Sequence, residues 1–303
     1  MTRRALRDDE QAIAAVVGAI IILAVLGIAL VYVNAFHVPR QGAAMEVMAS
    51  ERAEGALASL AGALGRPAQG PLVQDVPLRV DRATPPLLSG IVLSPARAEG
   101  SLALLPASST IRVSVVVPAP AEGVPAGDAT RESVAGGLMR VHLVGTSAAG
   151  QPMGALRATT GGTYVSPSGR VLEGGAVLAD TLAASATVAP PALTVNGDAV
   201  AWRLPLLAGA PGEVSGGSLA QVVLTPGPEA ELGGGSAVNE LRVRVETTHL
   251  AAWKAAFEST VGTRGSVTAT STGPDDGIVE ARLDNVQLRL FVVRYQVSLA
   301  DRV

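Results

Sequence analysis

Hydrophobic and polar positions divide the 303-residue chain into three stretches of different period. The first eleven residues, MTRRALRDDEQ, are mostly charged or polar. Ala12 to Val33 then runs for 22 residues without a charge or a proline. At ~1.5 Å per residue that run makes a helix of roughly 33 Å, about the hydrocarbon thickness of a bilayer. A helix pairs its own backbone amides, so it can lie in lipid unaided. We therefore expect a transmembrane helix over 12–36 behind a charged leader at 1–11. Its anchoring or assembly positions are Ala12, Val16, Val17, Gly18, Ile21, Leu23, Gly27, Leu30 and Tyr32.

The helical period returns after a proline. Pro39 lacks a backbone donor and restricts Val38, which predicts a kink or break at the membrane exit. Over 41–64, Met45, Met48, Leu57, Leu60 and Leu64 recur at three- and four-residue steps, with Glu51, Arg52 and Glu54 on the solvated side. This reads as an amphipathic stalk over 37–66, docked on its own domain or forming a seam with a neighbouring subunit. Gly65-Arg66-Pro67 ends it.

From Leu72 the pattern shortens to period two. Runs rich in Val, Leu and Ile alternate with Gly, Pro and Ser clusters: Val73–Val80, Leu87–Leu93, Thr110–Val117, Leu138–Val144, Ala199–Leu207, Leu219–Thr225, Val238–Thr247, Arg264–Thr270, Ile278–Leu283 and Val286–Leu299. In Leu241-Arg242-Val243-Arg244-Val245 the apolar residues share one face and the arginines the other. This predicts a mainly-β domain over 67–303, an antiparallel β-sandwich or a pair of sheets. Its longest strand, Val286–Leu299, is central or shared, with Phe291 and Tyr295 on one side. One short helix, Leu250–Phe257, places Trp253 one turn from Phe257 as a plug at one end. Pro118–Gly137, Leu207–Gly217 and Ala230–Ala237 read as loops; the first is best read as a disordered surface loop, with a lobe boundary or an insertion at 118–137 as the alternative.

Charge then sets an orientation. Arg3, Arg4 and Arg7 precede the span, against Arg40 and Arg52 behind it, which favours an N-terminus in the cytoplasm and a C-terminal domain outside. Two other fates are open to the N-terminus: cleavage after Val33-Asn34-Ala35 as a secretory signal, or export directed by Arg3-Arg4. A retained helix is the leading expectation. With no cysteine in the chain, disulfides and thiolate metal sites are excluded. A net charge of −3 with scattered basic residues argues against nucleic acid as a partner.

Chemical motifs are sparse. His37, His142 and His249 have no helical i, i+4 partner, so the zinc-protease arrangement is missing. His142 sits in a strand with a structural or surface role. Gly145–Gly150 misses the nucleophile-elbow spacing around Ser147. No phosphate-cradling glycine motif follows a strand and opens a helix. Asp275-Asp276-Gly277 suits a hairpin turn better than a calcium loop. Aromatic residues make up only 3% of the chain and charged residues 16%, below the usual ~25% charged. We expect no catalytic, cofactor-binding or metal-binding residues, no cofactor and no enzymatic activity.

One resemblance adds to these readings. Gln11-Ala12-Ile13-Ala14-Ala15-Val16-Val17-Gly18-Ala19-Ile20 resembles the opening of archaeal type IV pilin-like proteins, where a charged leader meets an apolar helix. Tyr32-Val33-Asn34-Ala35-Phe36-His37-Val38-Pro39-Arg40-Gln41 is similar to the step at which haloarchaeal relatives leave the span. Gly162-Thr163-Tyr164 through Glu173-Gly174-Gly175-Ala176-Val177, and Thr247-Thr248-His249-Leu250-Ala251-Ala252-Trp253, are similar to segments of those ectodomains. The likeness implies a leader-processing region at Glu10, Gln11 and Ala12. It also implies contacts with other pilin-like subunits through the helix, and a structural or adhesive role at the cell surface, with a minor pilus subunit as one form. The chain departs from the family at Asp8, Asp9, Glu10 and Gln11, where a basic or glycine residue is usual. The alternative from the residues alone is a monomeric, membrane-tethered β-sandwich that binds an extracellular ligand through the loops at 118–137 and 207–217.

Overall fold

The structure, a computed structural model, describes residues 2–78, 100–119, 131–162, 165–166, 168–181, 185–216 and 219–302, with side chains from residue 15 onward. The expected strand at Leu87–Leu93, Thr163, Tyr164 and most of the 118–137 stretch lie outside the described residues. An N-terminal helix leads into a large, mixed, mostly antiparallel β domain with one short helix.

The helix does not break at Pro39. Helix α1 (Thr2–Tyr32) passes through a single π-helical segment, Val33–His37, into α2 (Val38–Leu64). The Val38 amide donates to the Val33 carbonyl, five residues back. A proline ring at position 39 would strike the carbonyl of Ala35 in a regular α-helix, and a wider turn relieves that clash. The expected interruption is thus absorbed as a π segment. At the other end Leu64 is the last helical residue, and the Gly65 amide donates to Ala61 O at 3.1 Å.

Helix α2 docks on its own domain. Ala49, Ala53, Leu57, Leu60, Ala61 and Leu64 are buried, at the spacing of one helical face. The stripe holds at Leu57, Leu60 and Leu64 as expected and departs from that reading earlier in the helix. Met48 faces solvent, Glu46 is buried, and Glu54 pairs with Arg170 at 2.6 Å instead of being solvated.

Among the described residues, fourteen strands form one hydrogen-bonded network. They are β1 (Leu72–Pro77), β2 (Ser101–Pro118), β3 (Arg131–Val134), β4 (Leu138–Val144), β5 (Gln151–Thr160), β6 (Ser168–Glu173), β7 (Ala176–Asp180), β8 (Ser185–Ala189), β9 (Leu193–Asn196), β10 (Ala199–Ala208), β11 (Gly212–Ser215), β12 (Leu219–Thr247), β13 (Gly265–Ser271) and β14 (Gly277–Arg302). The main path runs β3-β4-β2-β12-β14-β10-β5-β6-β7-β8. Every pairing is antiparallel except β10 with β14. Because β2 also pairs β5, the path closes a ring through β2, β12, β14, β10 and β5. The β10–β5 link is the single register pair Leu207 with Gly154. A Cβ at Gly154 would collide with the Leu207 carbonyl oxygen, so only glycine lets the ring close there.

Two of the expected strand pairs are single long strands. Leu219–Thr225 and Val238–Thr247 are the ends of β12, 29 residues long. Ile278–Leu283 and Val286–Leu299 belong to β14, of 26 residues. The stretch Ala230–Ala237, read as a loop, is a bulge within β12: Gly233, Gly234 and Gly235 all have positive φ, and the register with β14 shifts between Leu232 and Ser236. In β14 Asn285 also has a positive φ, 53°, but the register with β12 is the same on either side of it. Part of the expected loop at 207–217 is strand β11.

The core has two parts on opposite faces of shared strands. One packs Ile111, Val113, Val243, Leu288 and Trp202 against helix α3 (Leu250–Val261). The other packs Leu102, Leu104, Val222, Tyr295 and Val297 against α2. Consecutive residues of a strand point to opposite faces. Val171 and Leu172 on β6 therefore enter different cores, as do Ala155 and Leu156 on β5. Those middle strands are covered on both sides.

Candidate functional site

Among the described residues, one helix, Ala15–Leu64, is long and apolar enough to cross a membrane. Its first part has no protein cover. Val16, Val17, Ile21, Leu23 and Tyr32 are exposed, and Ile28 reaches 72%. Leu30, at 38%, is the least open of the large residues. Nothing lies within 4 Å of where a Cβ at Gly18 or Gly27 would sit. These positions surround the whole circumference instead of marking one stripe. Ala12 lies in the same helix; its side chain and those of Glu10 and Gln11 fall outside the described ones. Tyr32 and Phe36 close the bare segment with rings 5.2 Å apart. A helix apolar on all sides is stable in lipid or among other apolar helices, and not as a surface helix in water.

Sequence reading missed a second feature, a buried polar network where the two cores meet. Gly174 and Gly175, both with positive φ, make the two-residue turn between β6 and β7. The turn leaves Glu173 fully buried. Its Oε2 accepts from Trp253 Nε1 at 3.2 Å and its Oε1 from Ser108 Oγ at 3.1 Å. His249 brings Nδ1 to 3.4 Å from Oε2, and its Nε2 stands 4.0 Å from Asp180, which Arg157 holds at 2.6 Å. Helix α3 is positioned for this from its start. The Ala251 amide donates to Asp275 Oδ1 and the Ala252 amide to Ser185 Oγ, satisfying amides that a helix N-terminus leaves open. Asp275 therefore lies in the β13–β14 turn and caps α3. Trp253 is buried against Phe257, with ring centroids 5.3 Å apart. In this geometry Ser108 acts as a donor to Glu173, and the carboxylate stitches β6, β2 and α3 together.

A third feature lies on the outer face of β2, β4 and β12. The register places Ser114 opposite both His142 and Arg242, Arg112 opposite Arg244, and Val116 opposite Arg140. The expected arginine face of β12 is thus extended by basic residues on two neighbouring strands. His142 is not at the solvent: it is 4% exposed, beneath the guanidinium groups. Its Nε2 lies 3.5 Å from Glu132 Oε2, too long for a good hydrogen bond. Glu132 is held below the usual carboxylate range, chiefly by a hydrogen bond from Ser147; desolvation opposes this, and His142 and Arg140 add to the lowering. The feature was half legible. Arg242-x-Arg244 shows in the alternation, but its partners at 112, 140 and 142 need the strand order.

Among the described residues no group of three or more His, Asp or Glu side chains is arranged to hold a metal ion. No curated protein and no solved structure matches the chain. A model of a protein family of unknown function, DUF7289, matches residues 112–300, from the middle of β2 to the end of β14. That span holds most of both cores, Glu173 and its network except Ser108, and the whole arginine face; on its strength the chain belongs to the DUF7289 family.

Proposed function

We propose that the chain is a non-enzymatic, pilin-like surface protein. In this reading the N-terminal helix sits in the cell membrane, its N-terminus is cytoplasmic, and the β domain is displayed outside. The observation that carries this is the bare apolar circumference of the helix from Val16 to Phe36, joined without a break to a docked α2. Burying such side chains is worth ~25 cal/mol per Å², so lipid or like helices are the favoured surroundings. The opening sequence supports the pilin-like reading, and Gly18 and Gly27 would let backbones approach closely in a helix bundle. A structural or adhesive role, including that of a minor pilus subunit, follows from that arrangement.

Leu23→Arg places a charge mid-helix, where insertion costs ~2.5–3.5 kcal/mol. The full-length chain, tagged at its C-terminus, should pellet with membranes and lose its tag to protease added outside intact cells; the variant should move into the soluble fraction. Full-length wild-type chain recovered soluble, with the tag protected, would overturn the proposal. The mass of the native N-terminus separates an intact leader from trimming near Gln11 or cleavage after Ala35. The second reading, a monomeric tethered binding module, is favoured by the arginine-lined face. Filaments bearing this chain on electron micrographs of cells would exclude its monomeric form.

A further inference from the structure

The outer face of β2, β4 and β12 encloses a cavity of about 80 Å³, lined by Arg112, Ser114, Arg140, His142, Arg242, Arg244 and one carboxylate, Glu280. A single water needs ~10–15 Å³ of such space. The cavity holds a group of several heavy atoms, and a sugar ring or base would not enter whole. Donors outnumber acceptors in its walls: among the described residues Arg112 Nε, Arg140 Nε and Arg244 Nε are buried without a hydrogen-bond partner, as are both ring nitrogens of His142, whose nearest carboxylate is Glu132 at 3.5 Å. Most of the acidic neighbours are engaged by the other two arginines of the lining, and Glu132 faces His142. Glu240 pairs with Arg242 and Arg282, Glu280 with Arg242, and Glu246 with Arg244. Neither Arg112 nor Arg140 has a salt bridge among the described residues, and each comes from a different strand, so their forks approach the cavity from two sides. Buried donors left open cost stability, and an oxyanion supplies acceptors to several at once.

We propose that this cavity binds one oxyanion, a phosphate or sulfate group, held by the guanidinium groups of Arg112 and Arg140 with Ser114 and His142 beneath. The site is independent of where the helix resides. Arginine suits it because a planar fork meets two oxygens at once. Glu280 in the wall, paired with Arg242, disfavours a second anion, so the site takes one group per chain.

The test uses the full-length chain in a non-ionic detergent. Inorganic phosphate, inorganic sulfate and a sugar phosphomonoester are titrated by calorimetry against sodium chloride of matched ionic strength. Thermal unfolding is followed in parallel. Saturable one-to-one binding with a raised melting temperature is expected. Arg112→Gln and Arg140→Gln should each weaken binding by roughly tenfold or more, the loss of a charge-assisted contact. Arg112→Lys should lose less, and Arg302→Gln, distant and paired with Asp75, should bind as wild type. Circular dichroism confirms that each variant is folded. Binding of the phosphomonoester alongside the free ions assigns the group to the end of a larger ligand; binding of the free ions alone assigns it to a free anion. No saturable binding above the chloride control, or equal binding by folded Arg112→Gln and Arg140→Gln, overturns the proposal.

Discussion

Two residues show how a β domain with few aromatics handles polarity in its interior. Tyr295 is buried and its hydroxyl has no hydrogen-bond partner among the described residues. Burial pushes its phenol above the ordinary value, opposed by Arg203 and assisted by Glu229. The unfolded chain releases this proton first, near pH ~10. Above that pH the folded state holds the extra proton, so stability falls as pH climbs from the unfolded value through the raised one. Tyr295→Phe should flatten that alkaline decline in melting temperature. At neutral pH it should be neutral or stabilising by up to ~1 kcal/mol, because an unpaired hydroxyl is removed. Glu173 is the opposite case, with one oxygen accepting from buried Trp253 and the other from half-buried Ser108. Glu173→Ala strands Trp253 Nε1, leaves Ser108 only the Met153 carbonyl and opens a void, at a cost of ~2–4 kcal/mol read by denaturant unfolding in detergent. Glu173→Gln, which keeps the shape, should cost less. A carboxylate alone in the apolar run Val171–Val177 was the sequence signal for this network. Its partners Ser108, His249 and Trp253 lie too far along the chain for any local pattern to name them.

At the scale of elements, period decided what could be read. Strand β4 matches its expected bounds, and Leu241, Val243 and Val245 turn inward as their alternation requires. Strands β5 to β8 were hidden for a physical reason. Val171 and Leu172 are both buried, in different cores, so β6 has no polar face to alternate with. The long strands β12 and β14 each read as two because Gly233–Gly235 and Asn285 carry turn chemistry, used here for a bulge in β12 and for a single positive-φ residue inside β14. Pro39 misled in the same way, since a π segment costs less than ending a helix whose far half is docked. That docking is itself testable. Leu57 is fully buried between α2 and the second core, so Leu57→Ala should lower stability by ~2–5 kcal/mol. The same change at exposed Met48 should have little effect.

For the whole molecule, shared strands imply shared fate. Strands β2, β5, β6, β10 and β14 give residues to both cores, so neither can melt while the other keeps its walls. Calorimetry of the full chain should show one cooperative transition for the β domain. Two well-separated peaks would mean that the lobes are independent. The helix-plus-β architecture was legible because lipid-length apolar runs and two-residue alternation are strong signals. The closure of the ring at Gly154 was not, because it rests on one glycine meeting a carbonyl from a remote strand.

The unbroken passage from α1 into α2 has a further consequence for reach. Fifty residues from Ala15 to Leu64 form a rod of roughly 75 Å, and its distal half is packed into the domain it carries. There is no slack tether at the lipid boundary, so in the anchored arrangement the domain cannot tumble or cast about for contacts. Anything that meets it would find the same side presented at the same height above the cell, time after time.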